Sequence, residues 1–194
     1  MKKMKNIITT IIMLVFTIVN AQTYHTTKPL ENMGGAEEGV YYKDFNDILD
    51  GFEGTYEYNG PDFYFKIRLE KKEAMQYAFY WTDLLNGTYQ YIKNGVEVNY
   101  LNDNLNNSYT RIEADWIWTP NEGLPYFCPE CLNEKWLRGR ISDRVNSRVA
   151  DLFIAKRIVN GEVGLQLGFY YEWPRESQNA AHLPEGKFFV KKIN

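Results

Sequence analysis

The sequence predicts an all-β fold, an antiparallel meander β-barrel of about 8–10 strands with one short N-terminal helix at the barrel mouth. Three observations predict this class. Apolar and polar residues alternate over most of the chain, as in strands that bury one face. Asn-Gly occurs four times, and this pair favours hairpins because type I′ turns need positive φ at both central positions. Aromatic residues, which favour strands, make up 16% of the chain.

The helix is predicted over residues 44–50, with Asp44 as its N-cap and Gly51 as its stop signal. Its apolar residues follow the 3.6-residue period of a helix and would lie across one mouth of the barrel. These barrel-mouth residues are Phe45, Ile48, Leu49 and Phe52.

Ten strands follow in the prediction, at 53–58, 62–70, 75–81, 88–92, 96–101, 109–118, 137–142, 150–158, 163–173 and 187–193. Three of them alternate cleanly. Their expected buried faces are Met75, Tyr77, Phe79 and Trp81; Ile112, Ala114, Trp116 and Trp118; and Val163, Leu165, Leu167, Phe169, Tyr171 and Trp173. The Asn-Gly pairs begin at residues 59, 86, 94 and 160, and three of the four sit between alternating runs. Hairpins at such pairs imply that neighbours in sequence pair with each other.

Residues 1–21 have the pattern of a cleaved signal peptide, with three early lysines, an apolar run over 7–19 and Ala21 at the cleavage position. The alternative is a retained membrane anchor, but that run is shorter than the roughly 20 residues a helical span needs. Export to the periplasm or the extracellular space is therefore expected. The prediction continues with a flexible lead-in over 22–40 and a single barrel domain over 41–194.

Charge excludes some partners. Loss of the three lysines of the signal segment would take the formal charge from −3 to −6, which gives no electrostatic basis for binding nucleic acid. An outer-membrane barrel is disfavoured, because its strands need about 9–11 residues and several predicted strands are shorter. We expect no transmembrane span in the mature chain.

The helix followed by Phe52-Glu53-Gly54-Thr55-Tyr56 resembles the start of lipocalins and fatty-acid-binding proteins, whose barrels open with a short helix and a Gly-x-Trp motif. The chain also resembles an uncharacterised lipocalin-like family of secreted Gram-negative bacterial proteins. That resemblance is carried by Asn20-Ala21-Gln22, by the Gly-Thr-aromatic strand and by the segment from Leu85 to Gly95. It implies a lipocalin-like barrel and an export route, and it implies no activity.

Cys128-Pro129-Glu130-Cys131 is the sharpest local motif. A small structural disulfide is the expected state in an exported protein. A redox-active pair would need a helix N-terminus to lower the thiol pKa, and no such pattern surrounds this loop. A zinc site would need two further ligands, and the two histidines, His25 and His182, stand at no diagnostic spacing.

No catalytic, cofactor or metal signature is found, so a non-enzymatic protein is expected. Ser177 and His182 share a loop, but nothing in the sequence orients them for nucleophilic catalysis. The acidic residues Glu57, Asp62, Glu113 and Asp115 fit solvated strand positions.

The aromatic residues of the predicted barrel fit either a filled interior or a cavity for one lipid-like or aromatic molecule. The residues that would line such a ligand site are Tyr56, Phe65, Tyr77, Phe79, Trp81, Phe169 and Tyr171. The alternative function is a protein- or surface-interaction module with a filled interior. Its contact surface would include the pairs Tyr41-Tyr42 and Tyr170-Tyr171 and the loop 119–136.

Overall fold

The computed structural model describes residues 24–105, 111–119, 128–132, 134–143, 148–171 and 183–193. These residues form eleven strands and two short 3-10 helices, Leu30–Asn32 and Leu49–Phe52. The strands are β1 (Thr26–Pro29), β2 (Val40–Lys43), β3 (Gly54–Asn59), β4 (Tyr64–Gln76), β5 (Trp81–Lys93), β6 (Val96–Asn99), β7 (Ile112–Trp118), β8 (Trp136–Asp143), β9 (Arg148–Val159), β10 (Glu162–Tyr170) and β11 (Gly186–Lys192).

Eight of these strands form a closed antiparallel barrel in the order β5-β4-β3-β11-β10-β9-β8-β7. The ring closes where β7 pairs with β5, with Ala114 opposite Leu85. The first and last strands of the barrel also pair, β3 with β11, where Lys191 lies opposite Glu57. Each barrel strand pairs with the next barrel strand along the chain, so the predicted closed meander is confirmed. The barrel is compatible with a lipocalin-like fold.

The extra strands all join one edge of β5. Strand β2, which carries β1 on its other side, pairs in parallel with the first residues of β5, and β6 pairs with its last residues. The barrel strand β7 pairs with the middle of β5 between them. The chain after β6 then covers the outer face of β5, where the Asn86 amide donates to the Leu105 carbonyl at 2.9 Å. As a result β5 is buried on both faces from Thr82 to Tyr89.

One of the four Asn-Gly pairs, Asn86-Gly87, forms no hairpin. The pair lies in the middle of β5, not in a turn. A Cβ added to Gly87 would lie 2.7 Å from the Leu69 side chain and 3.0 Å from Cβ of Ile112. The glycine is therefore required for the close approach of β4, β5 and β7.

The predicted α-helix over 44–50 is absent from the described residues and is replaced by the 3-10 helix Leu49–Phe52. The N-cap position of this 3-10 helix is Ile48 and not Asp44. The Asp44 carboxylate nevertheless accepts the N–H groups of Ile48 at 3.0 Å and Leu49 at 2.9 Å. The physical reason for the missing helix is Asp47, whose φ of 51° is left-handed and interrupts a right-handed helix. Phe45 consequently points away from the core and is 54% exposed.

The hairpins at Asn94-Gly95 and Asn160-Gly161 are confirmed. Each pair forms a two-residue connection with positive φ at both positions, as type I′ turns require. Asn59 ends β3, and Gly60 donates its N–H to Phe63 in the loop before β4.

The predicted strand 75–81 is wrong. Met75 and Gln76 end β4, residues 77–80 form the connection, and Trp81 begins β5. In the connection the Tyr77 N–H donates to the Tyr80 carbonyl at 2.9 Å. Because the chain turns here, Tyr77, Phe79 and Trp81 do not share a strand face, and Phe79 is 48% exposed.

A β-bulge corrects the expected face of β7. Its pairing with β8 shifts register between Ala114 and Trp116, so Asp115 is the extra residue. Ile112 and Ala114 point into the core, but after the bulge Ile117 takes the inward place and Trp116 is exposed. A one-residue insertion exchanges the two faces of a strand, and alternation alone cannot reveal it.

The described part of the expected lead-in over 22–40 is ordered chain: β1 pairs with β2, and Leu30 is buried in the core. Tyr41 and Tyr42, expected to be an exposed pair, are buried. The signal segment 1–21, Trp173, Ser177 and His182 lie outside the described residues. No helix in the described part of the chain has the length and apolar character to cross a membrane.

Candidate functional site

The middle of the barrel interior is filled by its own side chains. The Phe65 ring stacks on Tyr89 at 5.8 Å and meets the edge of Phe169 at 5.5 Å, measured between ring centroids. Phe65 and Phe169 have no exposed surface, and Tyr89 has almost none. A side chain with no surface open to water lines no cavity that could hold a ligand. These rings therefore form a packed core.

The 3-10 helix Leu49–Phe52 closes one end of this core. Leu49 and Phe52 have no exposed surface. The Tyr56 hydroxyl donates to the Phe52 carbonyl at 3.1 Å, and burial, aided by the charge of Glu53, raises the pKa of Tyr56 to about 12. Tyr56 therefore remains a hydrogen-bond donor at neutral pH. The helix caps a solid core at this end of the barrel.

A buried carboxylate, Asp83, holds this end together. Its two oxygens accept hydrogen bonds from the Tyr41 hydroxyl at 2.5 Å and from the N–H groups of Ala74 and Asp44 at 2.9 Å. Ala74 adopts a left-handed φ of 49°, which costs energy for a residue with a Cβ. Asp83 thus joins β2, β5 and the end of β4 through three bonds to one group.

Asp44, Asp47 and Asp50 bring carboxylate oxygens within 4.8 Å of one another, a spacing that could hold a metal ion. The Lys71 ammonium lies among them, at 3.3, 3.1 and 2.6 Å from the three carboxylates. Burial alone would lower the pKa of Lys71, but the three carboxylates raise it above its usual range. The cluster is therefore an internal ion-pair network that fixes the segment before β3.

The best candidate for a functional site is a cleft on the outer wall, where β7 separates from β5. Beyond Ala114 the edge of β5 pairs with β2 instead of β7. The bulge at Asp115 marks the point of separation. The resulting cleft has a volume of about 350 Å³, within the usual range for small-molecule sites. It is lined by Met33, Ala36, Tyr77, Tyr80, Glu113, Asp115, Trp116, Arg138, Gly139, Arg140 and Asp151. We refer to it as the seam cleft.

Two stacked tyrosines form one wall of the seam cleft. The rings of Tyr77 and Tyr80 are 5.1 Å apart with an interplanar angle of 9°. The Tyr77 hydroxyl donates to Glu113 Oε2 at 3.2 Å. Burial, followed by the charges of Glu113 and Asp115, raises the pKa of Tyr77 above its usual range. Burial and the Asp115 charge likewise raise the pKa of Tyr80 to about 12. Both phenols are thus donors at neutral pH.

Asp115 is the most unusual group of the seam cleft. Burial raises the pKa of its carboxyl group, and its own backbone N–H and the Arg140 charge offset only part of that effect. Among the described residues, no other side chain donates a hydrogen bond to Asp115. A half-buried carboxylate without such a donor is a natural contact for a bound group.

Arg138 connects the seam cleft to a second apolar cluster on the outer wall. Its guanidinium pairs with Asp151 at 3.2 Å and lies over the rings of Trp118 and Phe153, at 5.7 and 5.8 Å from their centroids. This outer-wall cluster is formed by Cys128, Trp136, Phe153 and Ala155, with Trp118, Cys131 and Tyr170 at its edge.

The two cysteines are paired in the structure, with their Cα atoms 5.3 Å apart. The chain after them contacts β9 through the Leu132 N–H, which donates to the Lys156 carbonyl at 3.1 Å, and through the ion pair of Glu134 with Lys156. The cysteine loop therefore lies on the wall beside the seam cleft. Much of the loop 119–136 lies outside the described residues.

The seven residues expected to bind a ligand do not form one site. Tyr77 lines the seam cleft. Tyr56, Phe65 and Phe169 are enclosed in the core, Tyr171 packs against it, and Phe79 is at a turn. Trp81 is half-buried at the start of β5, and its ring contacts Tyr24. A ligand could reach the enclosed rings only by displacing core side chains, so binding by them stays a prediction.

Apart from Tyr77 and Trp116, the main residues of the seam cleft were expected to be solvated or were not singled out. Glu113 and Asp115 are only partly exposed. One sequence signal could have indicated that these two acidic residues are partly buried. They lie in β7 between large apolar residues, Ile112, Trp116 and Trp118. Nothing local indicated that the turn at Tyr77–Tyr80 would face that strand, because this contact depends on barrel closure.

Fold and site together define an eight-stranded antiparallel barrel with a packed centre and a polar and aromatic cleft in its outer wall. The chain belongs to the group described as "Family of unknown function (DUF6705)", whose model matches residues 1–151. No curated protein and no solved structure matches the chain.

Proposed function

We propose that the protein is a non-enzymatic binding protein that takes a small molecule in the seam cleft. The observation that carries this proposal is the cleft itself, about 350 Å³ in volume, where stacked aromatic rings and charged groups converge. Small-molecule sites commonly combine aromatic walls with a few polar groups that fix orientation. The rings of Phe65 and Phe169 at the barrel centre, by contrast, have no exposed surface.

The proposal is tested by filling the cleft. Ala36 lines it and is exposed, so Ala36→Trp adds a large side chain without disturbing the core. Glu38→Trp is the matched control, because Glu38 is exposed on the same segment but does not line the cleft. A ligand-observed NMR screen of a mixed small-molecule library should give hits that Ala36→Trp abolishes and Glu38→Trp retains. Hits that bind both variants equally would contradict the site.

A second candidate function is carriage of an apolar molecule at the other end of the barrel. There the rings of Tyr58, Phe63 and Phe188 lie within 4.6–5.4 Å of one another and are only partly buried. A fluorescent fatty-acid analogue should then bind saturably and with equal affinity to wild type and Ala36→Trp. The absence of saturable binding would eliminate this candidate. The interaction module, which needs no small-molecule site, is favoured if neither screen gives a hit.

We further propose that the chain is an exported, lipocalin-like protein whose signal segment is removed after Ala21. The support is the residue pattern of 1–21 together with the closed meander barrel. Mass spectrometry of the protein from the periplasm or the medium should give a chain that begins at Gln22. A protein that keeps residues 1–21 would contradict cleavage.

A further inference from the structure

We propose that Asn94 is a site of spontaneous covalent modification, where the side-chain amide is lost through a succinimide ring formed with the backbone nitrogen of Gly95. The inference concerns the turn between β5 and β6 and does not depend on the seam cleft. Three features carry it: the glycine that follows Asn94, the exposure of the turn, and the short strand that holds the turn closed.

The reaction needs only the chain and water. The backbone nitrogen of Gly95 gives up its proton and bonds to Cγ of Asn94, while the bond from Cγ to Nδ2 breaks and Nδ2 leaves as ammonia with that proton. Water then opens one of the two C–N bonds of the ring. Opening at Cγ gives aspartate, and opening at the backbone carbonyl gives isoaspartate, which adds a methylene to the main chain. Neither step is a redox step.

Glycine hinders this attack less than any other successor, because it has no Cβ and has the widest backbone freedom. The chain has four Asn-Gly pairs, and all four share this chemistry. Their surroundings in the fold therefore decide which of them reacts.

The pair Asn86-Gly87 is protected within the sheet. Asn86 is 1% exposed, and its Nδ2 donates to the Leu105 carbonyl at 2.9 Å, which holds the leaving group in place. Gly87 is paired with β4 on one side and with β7 on the other. Water has no access to this asparagine, and its backbone has no room to rotate.

The pair Asn59-Gly60 is protected in a different way. Asn59 is exposed at the end of β3, but the Gly60 N–H donates to the Phe63 carbonyl at 3.1 Å. That hydrogen bond engages the nitrogen that would attack. Reaction at Asn59 should therefore be slow.

The remaining two pairs, Asn94-Gly95 and Asn160-Gly161, are open to solvent. All four residues are exposed. Apart from the adjacent residues, nothing in the described part of the chain lies within 4 Å of the place that a Cβ would take on either glycine. Water reaches both turns, and no neighbouring element presses on them.

Strand pairing distinguishes these two turns. Strand β6 has four residues and, within the described ranges, pairs with β5 alone. The β9–β10 hairpin has nine residue pairs, and β8 and β11 flank it on both sides. Ring closure requires the backbone of the turn to rotate, and a short strand with one neighbour opens more readily than a long hairpin inside a sheet. Asn94 should therefore react faster than Asn160.

The two products should affect β6 differently. Aspartate at position 94 adds a negative charge but keeps the two-residue connection between Lys93 and Val96. Isoaspartate lengthens a turn whose two residues both have positive φ, so the type I′ geometry no longer matches the strands. Strand β6 is then expected to lose its pairing with β5.

The test is incubation of the purified folded protein at mildly alkaline pH, followed by peptide mapping with mass spectrometry that separates aspartate from isoaspartate. Asn94 should convert first and Asn160 second, and Asn94 should convert at least about tenfold faster than Asn86, whose reaction requires β5 to open. Incubation in urea is the control, because the unfolded chain exposes all four pairs, and their rates should then become similar. Retention of Asn94 in the folded protein while all four pairs react in urea would overturn the proposal, as would equal rates at Asn94 and Asn86 in the folded protein.

Two variants assign the effect to the ring. Asn94→Gln should abolish the conversion at this turn, because a longer side chain closes the ring far more slowly. Freshly purified Asn94→Asp should keep the amide-exchange protection of β6, whereas the aged wild-type protein should lose it in proportion to its isoaspartate. Equal loss of protection in fresh Asn94→Asp would show that charge, and not the lengthened backbone, releases β6, and would overturn that part of the proposal.

Discussion

At the scale of single residues, two aspartates with different surroundings have different roles. Asp83 is fully buried, and three donors satisfy its oxygens. Asp115 is half-buried, and among the described residues no other side chain donates to it. The first is expected to stabilise the fold, whereas the second reduces stability and is available to a ligand. Replacement of each by asparagine should therefore change stability in opposite directions.

Asp83→Asn should lower the free energy of unfolding by about 2–4 kcal/mol. An asparagine side chain has one accepting oxygen, whereas both oxygens of the carboxylate accept. The NH2 group of the asparagine would therefore face a buried donor that has lost its acceptor. The measurement is urea unfolding followed by circular dichroism. Asp62→Asn is the matched control, since Asp62 is exposed in the β3–β4 loop, and it should change stability by less than about 0.5 kcal/mol. Similar effects of the two substitutions would contradict the structural role of Asp83.

Asp115→Asn should raise the free energy of unfolding at neutral pH. Burial raises the pKa of Asp115 in the folded protein above its ordinary value of 3.8. A carboxyl with a raised folded pKa stabilises most below its unfolded pKa, and that contribution is lost as pH rises through the folded pKa. The advantage of the asparagine variant should therefore be small near pH 4 and grow towards neutral pH. Urea unfolding across this range checks it, and a constant or reversed difference would contradict the burial of Asp115.

At the scale of elements, local patterns predicted strands and short turns well, and failed where distant contacts decide. Asn94-Gly95 and Asn160-Gly161 form turns, and each connects two strands that follow one another directly in the chain. Asn86-Gly87 has the same two residues, yet it continues β5 because β4 and β7 approach closely at Gly87. The helix expected after Asp44 is interrupted by the left-handed φ of Asp47, in a segment whose Asp44 carboxylate is held by the distant Lys71 at 3.3 Å.

The cysteine loop is an element whose stability can be tested directly. If Cys128 and Cys131 are oxidised in the exported protein, their reduction should cost about 2 kcal/mol, the chain-entropy value for a very short loop. Thiol alkylation with and without reductant, followed by mass spectrometry, gives the redox state, and urea unfolding gives the energy. A Cys128→Ser and Cys131→Ser double variant should match the reduced protein. Two thiols alkylated without reductant would refute the disulfide, and stoichiometric zinc would favour the metal site instead.

At the scale of the whole molecule, the class of fold was predictable and the location of the site was not. Alternation and turn residues specify an antiparallel meander, because both act between neighbouring strands. The seam cleft depends on how β2, β5, β7 and the Tyr77–Tyr80 turn meet after closure, and on a one-residue bulge at Asp115. A sequence pattern carries no signal for either. Of the aromatic residues that suggested an internal ligand site, Tyr56, Phe65 and Phe169 belong to the buried core, whereas Tyr77 lines the seam cleft.

The central claim is that ligand binding occurs at the outer seam and not in the barrel interior. The most direct measurement is a map of backbone amide chemical shifts in the labelled protein during titration with a hit from the small-molecule library. The account predicts saturable shifts concentrated on β7, β8 and the Tyr77–Tyr80 turn, and their loss in Ala36→Trp. Shifts centred on Phe65, Phe169 and Phe188, with the seam unchanged, would contradict it.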